Sequence, residues 1–153
     1  EGVEASVRYR AAELTKLLTQ FGTVETLEAQ DLCETLWQDI RDVRALANAR
    51  GDLWRISVKP SDAPELLKVL DLEVALLDWG GGLIWTRVPS GTDVRAKMTV
   101  AGHATLMRAS EATFAKIARF HPEPAPLAKI SANLRARFDP KDLFNAGLMG
   151  DHS

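Results

Sequence analysis

The chain has 153 residues, 46% of them apolar and 26% charged, with a formal net charge of -2. That length buries one good core, or one and a half, but not two large domains, and scattered Lys and Arg at this charge exclude a nucleic-acid surface. No apolar run approaches the roughly 20 residues of a membrane-spanning helix, and no signal peptide with a charged start and apolar middle is present.

Val3, Val7, Leu14, Leu17, Leu18 and Phe21 recur at helical spacing and predict a first helix, stopped at Gly22. Its apolar stripe needs a partner, nothing precedes it, and Glu1-Gly2 lacks an initiator Met, so a piece of a longer protein is expected. TVETL (23–27) reads as a short strand whose partner lies before residue 1. Residues 1–50 are thus the expected helical part of an incomplete first βαβ half. Asp31 can cap a helix over 32–47 that packs Leu32, Leu36, Trp37, Ile40 and Val43 on the sheet. The single cysteine, Cys33, offers neither a disulfide nor a metal site and reads as a small packing residue, compatible with a reducing cytoplasm.

Residues 51–109 carry the strongest pattern. LWRISV alternates Trp54, Ile56 and Val58 with Leu53, Arg55 and Ser57, as a strand with one buried face does. Pro60-Ser61-Asp62 breaks it ahead of the short amphipathic helix ELLKVL. Two β-rich runs, 73–79 and 83–88, are joined by Gly80-Gly81-Gly82, which supply the positive φ of a tight hairpin. A weak helical segment, 93–100, then leads through Gly102 into the alternating HATLMR. The order β-α-β-β-α-β predicts an α+β fold with the ferredoxin-like split βαβ arrangement, an antiparallel sheet with helices on one face and its first strand between the third and fourth. Beyond it, 110–153 reads as a Ser110-capped helix over 111–118, a proline-rich connector RFHPEPAP, and a last helix over 127–137 with Leu127, Ile130, Leu134 and Phe138 on one stripe, followed by a tail. No repeat is present.

GxGxxG, P-loop, HExxH and GxSxG motifs are all missing, and the GGG joins two strands instead of opening a helix. His103, His121 and His152 are too dispersed for a metal cluster, so no metal ligand is assigned. One constellation carries chemistry. Arg55 and Ser57 share a strand face, and the expected strand order sets them beside His103 and Thr105; a guanidinium next to an imidazole can hold a carboxylate and move a proton, with Arg55 and His103 as candidate catalytic residues. The plain alternative is a solvated face of a one-sided sheet. Trp54, Trp79 and Trp85 read as core or interface fillers, and Trp37 as helix-face packing.

The C-terminal stretch LAKISANLRARFDPKDLFNAGLM resembles the ending of FAD-linked oxidases of the vanillyl-alcohol oxidase and p-cresol methylhydroxylase type, in which a helix is followed by FDPxGxxNPG(R/K). LWQDIRDV, LWRISVKPS, LLDWGGGLIW and GHATLMR resemble segments of one branch, the E subunits of bacterial glycolate oxidases, in the same order over nearly the whole chain. The resemblance implies the C-terminal cap that closes over the flavin, with an FAD-binding N-terminal domain absent from this stretch. It implies FAD as cofactor of the full-length protein and hydride removal from the α-carbon of a small 2-hydroxy acid to flavin. The implied partners are the chain's own FAD-binding domain and the other subunits of the complex, in the cytoplasm, with an association to the inner membrane left open. By itself the chain is expected to be inactive and without flavin. Phe138, Asp139, Pro140, Phe144, Asn145 and Gly147 match the tail, and Phe144, Asn145 and Gly147 are the implied cofactor contacts. Ala146 replaces the usual proline and Leu148 the usual basic residue, which implies a looser turn and a lost ionic contact. The rival readings are a stand-alone ferredoxin-like ligand-binding or regulatory module and a non-catalytic scaffold subunit of a flavin oxidoreductase complex.

Overall fold

The computed structural model describes residues 2–70, 72, 74–145 and 147–148, and the chain divides into two compact units at Asp42/Val43. The first holds α1 (Glu4–Leu18) and α2 (Gln30–Arg41). TVETL forms no strand: the described residues of this unit are otherwise helical or irregular, and without a ladder partner an extended segment has nothing to bond. α2 begins after Ala29 with no side-chain cap, so Asp31 sits inside the first turn, where its charge suits the helix dipole instead of capping. The helix expected over 32–47 ends at Arg41, because Val43 turns left-handed (φ 54°) and a separate 3-10 turn, Arg44–Leu46, follows. Neither helix has a buried residue, and Trp37 is 66% exposed. Cys33 is partly buried and donates its Sγ–H to the Leu27 carbonyl at 3.3 Å.

The second unit is an α+β fold on a four-stranded antiparallel sheet of order β2-β3-β1-β4, with β1 (Asp52–Val58), β2 (Ala75–Asp78), β3 (Leu83–Val88) and β4 (Gly102–Arg108). β1 therefore lies between β3 and β4, as the order of elements implies. Its even-numbered side chains Trp54, Ile56 and Val58 form the core with Ile84 and Val88 of β3, Ala104 and Leu106 of β4, and Ala63, Leu66 and Leu70 of α3 (Ala63–Leu70). Each such large apolar side chain contributes about 1.5–3 kcal/mol on burial. One donor in this core is unpaired: the Trp54 indole Nε1–H is buried with no hydrogen-bond partner. Between β3 and β4 the expected helix over 93–100 shrinks to a single 3-10 turn, Val94–Lys97, since Met98 is already extended and β-branched Thr99 and Val100 do not propagate a helix.

The hairpin turn takes in Trp79 as well as the three glycines, and Gly82 has an ordinary negative φ (-75°). Trp79, Gly80 and Gly81 all take positive φ (54°, 64° and 100°), and the Asp78 carboxylate accepts the Trp79 N–H at 2.7 Å. The start read for the second strand, Glu73, lies outside the described residues, as do Ala146 and His152. At the far side, Gly102 approaches β1 so closely that a Cβ there would collide with the Ser57 carbonyl oxygen and Val58 Cγ1. Ser110 does cap its helix, accepting from the Thr113 N–H at 3.2 Å, but α4 is only Glu111–Phe114. α5 (Ala125–Phe138) has its expected stripe, yet none of its residues is buried.

Candidate functional site

Because side chains alternate along a strand, the face of the sheet opposite the core is built from the odd positions of β1 and their cross-strand partners. One row runs Leu76–Trp85–Arg55–Thr105, and the next runs Asp78–Leu83–Ser57–His103. Arg55 and His103 are thus on one face, as anticipated. They are diagonal neighbours, each directly opposite a hydroxyl residue, Thr105 for Arg55 and Ser57 for His103. Arg55 is partly buried and His103 exposed.

Arg55 is held in a way the sequence reading did not anticipate. Its guanidinium lies 5.2 Å from the Trp79 ring centroid and 5.9 Å from that of Trp85. Trp85 is its direct cross-strand neighbour. Trp79 reaches it from the turn, at 60% exposure and with a backbone conformation that a large side chain seldom adopts. Of the three strand tryptophans read as core or interface fillers, Trp54 is in the core, and Trp79 and Trp85 are not. The signal that could have found this clamp was parity: an odd β1 position and an odd β3 position in register must share a face. Among the described residues Arg55 has no ion-pair or hydrogen-bond partner, so its fork of donors is free to meet a carboxylate bidentately.

The other end of this face is closed. Arg87 donates to the carbonyls of Leu46 (2.7 Å) and Gly51 (2.6 Å), tying the 46–51 segment across it, and Leu46 is fully buried. A groove of about 420 Å³ opens beside this end, between Arg50, Leu72, Val88 and Lys97, and includes neither Arg55 nor His103. The open stretch of the face is therefore the part around Arg55, Ser57, His103 and Thr105.

The tail residues form a turn of their own. The Asp139 carboxylate accepts the N–H groups of Leu143 (2.9 Å) and Phe144 (2.8 Å), bonds that hold its pKa below the ordinary carboxylate value. Asn145 (φ 54°) and Gly147 (φ 73°) are both left-handed, residue types suited to that conformation, and Phe144 is exposed. No hydrogen bond among the described residues links this turn to Arg55 or His103. For a dinucleotide the described residues fit poorly. The glycine turn packs against Pro60 and the Val58 carbonyl instead of opening a helix that could cradle a pyrophosphate. No group of three or more His, Cys, Asp or Glu comes together for a metal among the described residues. No described helix is long and apolar enough to cross a membrane.

No family model matches the chain. No solved structure matches it significantly. Over 129 residues, 82% of this chain, the sequence is 34% identical to the glycolate oxidase subunit GlcE of Escherichia coli (strain K12). The chain spans about a third of that relative's length, since the match covers 34% of it. This identity supports a relationship between the chain and a glycolate oxidase subunit.

Proposed function

We propose that this chain is the cap, or substrate-facing, region of an FAD-dependent 2-hydroxy-acid oxidase or dehydrogenase subunit of the glycolate oxidase type. The observation that carries the reading is Arg55, a cation wedged between Trp79 and Trp85 on the open sheet face and left without a partner. Two indole faces fix the plane of the guanidinium, so its donor edge is pre-organised for the carboxylate of a small acid. With the carboxylate there, the acid's hydroxyl group falls toward Ser57, Thr105 and His103, and the imidazole is the base of the set.

The redox chemistry would belong to FAD held by the chain's own N-terminal domain in the longer protein, because the residues described here do not fit a dinucleotide. The turn of Phe144, Asn145 and Gly147 faces that domain in this reading, and other subunits of the complex complete the enzyme, placed in the cytoplasm. The test is kinetic, in the assembled enzyme with glycolate as substrate. Arg55→Lys is expected to raise KM about tenfold, since a point charge replaces a planar fork, with little change in kcat or melting temperature. His103→Gln is expected to lower kcat instead. Near-normal KM and kcat in both variants, with a few degrees of lost thermal stability, would show that these residues only dress a sheet surface. Tight binding of glycolate by the chain without flavin would favour the stand-alone module.

A further inference from the structure

β4 is an edge strand, and its outward backbone groups are closed by side chains and a short strap instead of a fifth strand. Ala104 and Leu106, whose amides and carbonyls point away from β1, make four outward contacts. The Ala104 carbonyl accepts from Arg95 Nε (3.0 Å), and the Leu106 N–H donates to the Arg119 carbonyl (2.8 Å). The Leu106 carbonyl accepts from the Arg119 guanidinium (3.4 Å), and the Ala104 N–H donates to Nδ1 of His121 (3.2 Å). Arg95 also clasps the strap from inside, donating to the carbonyls of Ala118 (2.7 Å) and Arg119 (2.9 Å). The strap, residues 118–121, therefore hangs from β4 at two points, one of them an imidazole.

An imidazole nitrogen accepts a hydrogen bond only while it carries no proton. The contact with Ala104 thus fixes the neutral tautomer protonated on Nε2. A second proton would turn Nδ1 into a donor aimed at another donor, in a place where an opposed amide costs more than it does in water. We propose that His121 is a proton-sensitive latch on the β4 edge: protonation releases the His121 end of the 118–121 strap and uncovers the Ala104 amide. The groups that face it set the threshold. Partial burial opposes a second charge most, Arg95 from the 3-10 turn and His103 from β4 add to the opposition and Asp93 favours the charge, so the ring stays neutral to a lower pH than a free histidine. Arg119 stays bound to β4 and to the Phe114 ring, so the release is local. The latch does not depend on what the open face binds.

Amide hydrogen exchange on the whole chain, corrected for intrinsic rates, reads the latch directly. Between about pH 7.5 and about pH 5.5 the Ala104 amide is expected to lose about tenfold in protection, Leu106 to follow more weakly, and Ile56 in the centre of the sheet to stay unchanged. His121→Gln, whose amide oxygen accepts without titrating, should abolish the response. A flat profile in the wild type overturns the proposal, and so does an undiminished response in His121→Gln, which would assign the titration to His103. Should the variant fail to fold, ring and amide NMR on the wild type decide. The His121 ring and the Ala104 amide must titrate with one midpoint below the ordinary imidazole value of about 6.5, and separate midpoints overturn the proposal.

Discussion

β1 carries an arginine–tryptophan contact on each of its two faces, and the two are used in opposite ways. On the core side, Arg95 lies 4.9 Å from the centroid of the fully buried Trp54 and spends its donors on the carbonyls of Ala104, Ala118 and Arg119. Burial lowers its pKa, the sign of a cation drawn out of water. On the open side, Arg55 sits between two indoles and has no carbonyl or carboxylate to bond among the described residues. The same pair of residue types is thus a brace on one face and a primed binding group on the other. What separates them is whether the donor edge is already satisfied, a distinction that composition and stacking geometry alone do not reveal.

Substitutions that remove each arginine should break this comparison cleanly. Arg95→Met keeps the stem over Trp54 but strands the carbonyls of Ala104 and Ala118 and leaves that of Arg119 with the Leu106 N–H alone. Such a change is expected to destabilise the fold by about 2–4 kcal/mol in urea unfolding, with no rescue by lysine, which cannot reach all three acceptors. A loss below about 0.5 kcal/mol would mean that Arg95 is no brace. Arg55→Lys, by contrast, should act on KM and leave unfolding within about 0.5 kcal/mol of the wild type. Trp79→Gly sharpens the contrast further, because the two effects should have opposite signs. Glycine relieves the positive φ and is expected to stabilise the turn by about 0.5–1 kcal/mol, while loss of one stacking face weakens acid binding a few-fold. Joint loss of stability and affinity would show that the indole serves the fold and not the site.

The smallest effect lies in the tail. The Asp139 carboxyl is held below its ordinary value by two backbone N–H groups, so its stabilisation is present above about pH 4 and lost as pH falls through the lowered value. Asp139→Ala should remove that acid response from the exchange of the Leu143 and Phe144 amides and leave global unfolding unchanged.

How far the sequence could be read follows from where its regularities come from. Period-2 alternation marks the boundaries of β1, β3 and β4 closely, and the order of strands and helices along the chain yields the strand order and with it the shared face of Arg55 and His103. Helical periodicity was a poorer guide. The stripes of α1, α2 and α5 are real in the sequence, yet no residue of these helices is buried, because periodicity states what could be covered and not what covers it. The brace of Arg95 and the latch of His121 left no trace at all. Their partners are backbone carbonyls and amides, which every residue carries, so no residue type marks the contact. The stacking of Trp79 on Arg55 is hidden in the sequence for a related reason: it depends on a backbone conformation that the residue itself disfavours.

Gly102 sets a boundary on how this sheet can drift under mutation. Here the two strands lie too close for any side chain, so the position tolerates one residue out of twenty, while His103 next to it points into open solvent and is sterically indifferent to its occupant. A saturation library across 102 and 103 should therefore divide sharply, with folding selection alone fixing the first. Whatever restriction such a library shows at the second must come from chemistry, which makes this pair of neighbouring codons an internal control for telling selection for structure from selection for use.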